Sequence, residues 1–420
     1  MLLADRYRCE LSPVLADWFD KGPWRESGGG EYREPVSPQS LLEPAPEEIW
    51  PVLMCCDLLP LISNAAGDWL CVRIDDNNVM SEVVQWYHGA GDWLPWGDHV
   101  AEAILFDAAL GQSPQASRRH AIPAEDPRPL AKNARGTNDP LLRWALSHVP
   151  AETAALFDRR HAGRQIIEGM LESHIAEVAV RCEMAVSLLT HWPREELRPL
   201  LEDDQSLDRS LLTRWSFDLD LVPESIRRRL QQETGMSAVQ DWESAAKHAQ
   251  QVCRLAPELA WAWEISGYAA EKLGDVASAI DAYRCGATCS VFTDQSIRLD
   301  THWTTPESAK FSVARLKHHR PDEVQESRYL RSLCHRDVQQ RRVETTAYWS
   351  ELAQQFSQAK QDREAHRCYV AAAWDLGSEP LSTYASLLSC IAESADASEQ
   401  FGRAELARTH RRCLRERYGV

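Results

Sequence analysis

No apolar run in this 420-residue chain approaches the roughly 18 residues that a membrane-spanning helix needs. The longest candidate, Ile175 to Leu189, is broken by Glu177, Arg181 and Glu183. The opening MLLADRYRCELSP has no basic segment leading into a long apolar core, so no secretory leader is read there. A soluble, cytoplasmic chain is expected. Cys-x-x-Cys pairs are missing as well. The twelve cysteines are scattered, several inside helical patterns, which suits reduced thiols better than a disulfide framework. Cys285 and Cys289 would share a helix face, but no second pair accompanies them, and structural zinc normally takes four ligands. They are read as small residues packing between helices.

Motifs of common enzyme classes are also lacking. There is no G-x-x-x-x-G-K-[ST], no G-x-G-x-x-G after a strand, no G-x-S-x-G and no H-E-x-x-H. The glycine-rich SGGG (27–30) has polar flanks and no helix signal after it, so it reads as a flexible loop and not a phosphate cradle. His174 and Glu177 stand three apart on a predicted helix over 164–191, but the second such pair that a di-iron bundle requires is absent. KHHR (317–320) reads as a basic helix end, favoured by the helix dipole. No metal and no cofactor is expected.

Positive charge is scarce in the first quarter. The formal net charge is −17, and residues 1–110 hold 6 Lys/Arg against 19 Asp/Glu. Between Glu34 and Leu110 the one basic residue is Arg73. Such a face repels nucleic acid and attracts basic proteins. Solubility alone would explain it equally well.

What is present begins with a strand signal. GDWLCVRID (67–75) alternates, with Trp69, Cys71 and Arg73 on one side and Leu70, Val72 and Ile74 on the other. DDNN (75–78) is a turn cluster, and VMSEVVQWYH (79–88) favours a second strand. Together they predict a hairpin. Pro46 with Glu47 and Glu48 suits the first turn of a short helix. HGAGDWLPWGDH (88–99) holds two histidines, two aspartates and two tryptophans. Its glycines suit turns, Trp93 and Trp96 suit packing on the sheet or a partner surface, and Asp98 suits the N-cap of a helix with apolar spacing at Val100, Ala103, Ile104 and Ala108.

Residues 111–140 are rich in Pro, Ser and Asn without an apolar period, which marks a linker. From Leu141 onward the composition is helical. Ala245, Ala249 and Val252 lie 34 residues before Ala279, Tyr283 and Gly286, and a further unit shows at Trp349, Leu352, Ala353, Phe356, Ala365, Tyr369 and Ala372. That spacing resembles degenerate tetratricopeptide repeats. The expected division is 1–110 α+β, 111–140 linker, 141–236 helical without a family, and 237–420 helical repeats.

The order of elements in 47–110 resembles the SUKH superfamily, the Smi/Knr-type domain. The matching features are a short helix, LLPLI (58–62), a small loop, G-D-W (67–69) leading into a strand, a hairpin, an aromatic-rich His-Gly turn and a last helix. The resemblance implies an α+β domain with a mixed sheet flanked by helices, serving as a protein-binding module. Many bacterial members resemble immunity proteins that neutralise a toxin domain. On that basis the leading expectation is a non-enzymatic interaction protein whose acidic domain meets a basic toxin domain, with the repeats as scaffold. Candidate contacts are Asp68, Trp69, Asp75, Asp76, Trp86, Asp92, Trp93 and Trp96, and Asp57, Glu82 and Asp98 join the same acidic group. An adaptor working mainly through its repeats, in envelope or signalling pathways, is the alternative. A hydrolase or metalloenzyme built on His88–His99 is the third.

Overall fold

The computed structural model describes residues 2–28, 30–88, 91, 93–111, 139–156, 215, 218–228, 241–294, 308–377 and 380–420. The strands are β1 Glu10–Leu11, β2 Glu34–Pro35, β3 Leu58–Ser63, β4 Trp69–Ile74, β5 Val79–Trp86 and β6 Trp93–Gly97. Before the expected linker come helices α1 Leu2–Tyr7, α2 Pro13–Lys21, α3 Pro38–Leu41 and α4 Val100–Gly111. After it come α5 Pro140–Leu146, α6 Ala151–Leu156, α7 Trp242–Leu255, α8 Ala260–Lys272, α9 Val276–Thr288, α10 Phe311–His319, α11 Pro321–Glu326 and α12 Arg328–Leu333. The last four are α13 Val338–Gln358, α14 Asp362–Trp374, α15 Leu381–Ala397 and α16 Phe401–Tyr418. Most of the expected linker and all of the predicted helix 164–191, with His174 and Glu177, fall outside the described residues.

The chain forms two compact units. One contains Met1–Ala108, Ala131–Arg159 and Arg342–Val420, and the other Ala109–Leu130 and Arg160–Arg341. These bounds differ from the divisions drawn at 110, 140 and 236. The C-terminal helices belong with the N-terminal sheet, and so does the segment carrying α5.

The sheet of the first unit has the order β1-β5-β4-β3-β2, with β6 also paired to β5. β1 runs parallel to β5 and the other pairs are antiparallel, so the sheet is mixed. The α+β layout with a helix-rich C-terminal part thus holds. The hairpin forms as its sequence suggests. Asp75 Oδ1 accepts the backbone N–H of Asn77 and of Val79, each at 2.8 Å, and Asn78 takes φ 62°, so DDNN closes the turn by side-chain capping. Leu70, Cys71, Val72 and Ile74 are all buried, so both faces of β4 are covered, which blurs its polar alternation.

Two local expectations fail. The stretch after Pro46 makes turns instead of a helix. Pro51 lies in that path, and it has no N–H to donate and would crowd the carbonyl four residues back. The aromatic stretch 88–99 is not all loop, because Trp93–Gly97 returns as β6 beside β5. Pro95 is tolerated there because β6 is an edge strand and a register shift lies between Val83 and Val84.

Helix α2 is signalled locally at both ends. Ser12 accepts the Leu15 N–H, Pro13 opens the first turn and Gly22 closes it at φ 75°. Its Asp17 reaches the chain after the expected linker, accepting from Trp144 Nε1 at 2.8 Å and pairing with His148 at 2.9 Å, while Trp18 packs edge-on to Trp144 at 5.1 Å.

The C-terminal attachment to the sheet is polar and extensive. α16 carries six arginines against two glutamates. Arg403 pairs with Asp76 and donates to the Ile74 carbonyl at 3.2 Å. Arg412 donates to the Pro44 carbonyl at 2.9 Å, and Arg417 donates to the carbonyls of Pro46 and Glu47 at 2.8 and 2.9 Å and also to that of Ile49. In return Arg6 of α1 pairs with Glu405 at 2.6 Å. The Asn78 side chain ties both partners, donating to the Glu399 carbonyl at 2.8 Å and accepting the Gly402 N–H at 2.9 Å. Gly402 allows this approach, since a Cβ there would lie 3.0 Å from Ile74 Cδ1.

Two histidines are sealed in this packing. His366 of α14 is buried, with Nδ1 3.2 Å from the Ile391 carbonyl, and His410 of α16 is fully buried. Burial pushes both down to about 4, and for His366 the charge of Arg403 adds to it.

In the second unit α7, α8 and α9 pack each on the next, and α9 packs on α10. Ala245, Ala249, Val252, Ala279, Tyr283 and Gly286 are all buried. Tyr283 sits in the notch over Gly267, where a Cβ would lie 2.6 Å from its ring. Lys310 is buried and donates to the carbonyls of Ala287 and Cys289 at 2.7 and 2.6 Å, closing the C-terminal end of α9. Cys289 is buried and Cys285 exposed, so the two do not share one environment.

Two outcomes follow. Arg403→Glu places like charge against Asp76 and should lower stability by roughly 1–3 kcal/mol, read as a fall in the urea midpoint at unchanged fold. The histidines bind protons in the unfolded chain from about pH 6.5, but in the folded chain only near pH 4. Stability should therefore be full above that window and fall as pH drops through it. In His410→Leu the loss between pH 7 and pH 5 should be smaller, measured by urea unfolding at both values.

Candidate functional site

The pairing register lines three candidate tryptophans in one row. Trp69 on β4 stands opposite Trp86 on β5, and Trp86 opposite Trp93 on β6. Paired residues on neighbouring strands project to the same face, so the row forms one aromatic strip. Most of it is core. Trp86 and Trp93 are buried, and Trp69 is half-buried. Arg73 lies over the Trp93 ring, 4.8 Å from its centre. Trp96, half-buried, packs edge-on to Phe106 at 4.5 Å and to Tyr32 at 6.4 Å. Trp93 and Trp96 thus pack the sheet and α4, the structural half of their expected role, and Trp86, expected as a candidate contact, is core. The surface tryptophan is one the sequence reading passed over. Among the described residues Trp50 is the one tryptophan more than a third exposed, at 38%. Its ring centre lies 6.1 Å from Trp86 and 6.2 Å from His88. Its sequence setting, between Ile49 and Pro51-Val52-Leu53-Met54, gives no signal that it stays at the surface.

The acidic candidates separate in the same way. Asp68 is buried: its Oδ1 accepts the His88 N–H at 3.1 Å and lies 2.9 Å from His88 Nδ1, while Oδ2 accepts from Asn64 at 3.1 Å. Asp76 is spent on Arg403 and, at 3.6 Å, on Arg367. Asp57 pairs with Arg73 at 2.9 Å, and Glu82 stands 3.8 Å from the same guanidinium. Burial works to raise the Asp57 carboxyl, but the charges of Arg73 and Arg403 outweigh it and hold it at about 2. Of the named group, Asp75 and Asp98 are exposed. Asp92 lies outside the described residues. Asp57 and Asp68 are therefore not available to an acidic surface patch.

The two histidines of the 88–99 stretch take different partners. His88 is held by Asp68. His99, and not Asp98, caps α4: its Nδ1 accepts the Glu102 N–H at 3.4 Å and its carbonyl accepts the Ala103 N–H at 3.1 Å. Glu102 returns the favour to the Asp98 N–H at 2.9 Å, a reciprocal cap of the capping-box kind moved by one residue. Among the described residues no group of three or more His, Cys, Asp or Glu side chains is placed to hold a metal ion. No hydroxyl or thiol hydrogen-bonds His88 among them either.

The last glycine of the SGGG segment meets α4. Gly30 sits directly on Asp107 of α4, so that a Cβ there would fall 1.9 Å from Asp107 Oδ2. The same carboxyl accepts the Tyr32 N–H at 3.2 Å, and Tyr32 Oη accepts from the buried Gln85 at 2.6 Å. Burial pushes the Asp107 carboxyl up to about 8, against the pull of the Tyr32 amide. Gly30 and Tyr32 thus pack against Asp107 of α4.

Compared with known families, curated proteins and solved structures, the chain matches none. Among the described residues no helix is long and apolar enough to cross a membrane.

Asp107 generates a pH prediction of opposite sign to that of the histidines. The folded chain keeps its proton up to about pH 8, while the unfolded chain releases it near pH 4. Its contribution is present below pH 4 and is lost as pH rises toward 8. Asp107→Asn should keep the accepting oxygen, remove this loss and raise the melting temperature at pH 8.5 above that of the parent, measured by scanning calorimetry.

Proposed function

We propose that this chain is a non-enzymatic, cytoplasmic protein-interaction protein of the SUKH type, most concretely an immunity-like protein whose N-terminal domain engages a basic toxin domain. The helical unit, read as tetratricopeptide-like, serves as scaffold and offers surface for a further protein segment. The observation that carries the reading is the fate of Arg73. It is the one cation between Glu34 and Leu110, and it is turned inward between Asp57 and Glu82. Among the described residues the charges this stretch leaves exposed, at Glu34, Glu43, Glu47, Asp75 and Asp98, are all negative. A surface of one sign steers a partner of the other and speeds association more than it deepens affinity.

The test is the product of a neighbouring gene. Expressed alone in a bacterial host, it should arrest growth, and co-expression of the full chain should restore it. With the purified pair, Glu47→Lys combined with Asp75→Lys should slow association about tenfold at low ionic strength and leave dissociation nearly unchanged. Asp76 is unsuited to this test because its charge holds Arg403. A neighbour that arrests growth whether or not the chain is present overturns the immunity reading, and association that ignores both salt and the two substitutions overturns the electrostatic mechanism.

A further inference from the structure

Asp107 of α4 lies under the residues that lead into β2. It is buried, and its Oδ2 accepts the Tyr32 N–H at 3.2 Å. The Glu31 amide donates to the same carboxyl, and Gly30 sits so close to it that no side chain fits between. Both ends of this stretch are anchored elsewhere. Arg33 donates to the Ser63 carbonyl at 3.0 Å and runs on into β2. Gly28 lies against Leu141 of α5, where a Cβ would stand 3.0 Å from Cδ1, and its N–H meets the Arg33 carbonyl at 3.1 Å. Between these anchors the stretch rests on Asp107 and, through Tyr32 Oη, on the buried Gln85 of β5, which donates at 2.6 Å.

The charges that act on Asp107 are of one sign. Glu31 comes from the stretch itself and Asp139 from the start of α5, and both oppose its ionisation. Arg33 and Arg143, the cations beside them in sequence, are exposed. A carboxylate out of water and without a cation is costly, so the group keeps its proton and accepts the amides as a neutral acid. Once ionised it needs water. α4 and β5 are regular elements, whereas 30–33 belong to no helix or strand, so they are the part of the cover that moves at least cost.

We propose that residues 30–33 form a pH-operated latch on α4, closed while Asp107 holds its proton and opening locally, with the sheet intact, as the proton leaves. The titration supports this direction, since burial pushes the Asp107 carboxyl up to about 8. Opening frees Tyr32 and the side of Trp96 that faces it, 6.4 Å away between ring centres. A latch differs from a general loss of stability in what it leaves protected.

The experiment is hydrogen–deuterium exchange of the full chain from pH 6 to pH 9, each rate divided by that of an unstructured peptide at the same pH. The amides of 30–33 should lose at least tenfold in protection between pH 6 and pH 8 and level off above it, while those of β4 and β5 keep theirs. In Asp107→Asn the loss at 30–33 should vanish. In Glu31→Gln it should level off at a lower pH, because removing a like charge lets Asp107 ionise more easily in the closed state. Protection at 30–33 that follows β4 and β5 at every pH overturns the latch. So does a loss that survives in Asp107→Asn, or one that levels off in Glu31→Gln at the same or a higher pH.

Discussion

The first unit depends on the arginines of α16 meeting an acidic N-terminal segment. Arg403 on Asp76, Arg412 and Arg417 on the carbonyls of 44–49, and Arg6 on Glu405 join the two ends of the chain. Isolated ion pairs at a surface contribute little. These differ because most of the arginines also satisfy backbone carbonyls, and because apolar packing seals the contact around Gly402, His410 and Cys413. The acidic excess of residues 1–110 is thus partly an internal matter. One of the carboxylates that the sequence leaves available, Asp76, is taken by the protein's own C-terminal helices.

This sharing decides which acidic residues can serve function. Asp57, Asp68 and Asp76 each have an internal basic or donating neighbour, and each carboxylate stabilises packing. Among the described residues, Glu31, Glu43, Glu47, Asp75 and Asp98 are left outward in turns and loops. The tryptophans divide by the same logic. Those paired across strands fill the sheet, and Trp50, in a loop, stays partly in water.

Two buried titrating systems with opposite slopes also sit in this unit. His366 and His410 favour high pH, and Asp107 favours low pH. Their windows overlap between about pH 4 and pH 6.5, where the two histidines outweigh the one acid. The helix packing at the C-terminus is the part exposed to acid, and the contact of Gly30 and Tyr32 with α4 is the part exposed to base.

Much of the fold was legible because its causes are local. The hairpin follows from DDNN and its flanking β-formers, α2 from Ser12, Pro13 and Gly22, and the mixed α+β layout from the order of elements. Where a competing local feature intervened, the reading slipped: Pro51 turned an expected helix into turns, and an edge position let Pro95 lie in a strand. His99 took the cap from Asp98 because Glu102 could complete a reciprocal pair with it. The site was less legible. Burial is set by what covers a residue, and nothing within 88–99 tells that Trp93 and Trp96 are covered while Trp50 is not. The sequence by itself determined the secondary elements, the turn chemistry and the sign of the charge. Only the tertiary structure decided that Asp76 meets Arg403 across 327 residues, and that the last helices close over the first strands. Turns and caps are hydrogen bonds among residues a few positions apart, whereas that closure is a match of charge and shape between distant surfaces that exist only once both have folded.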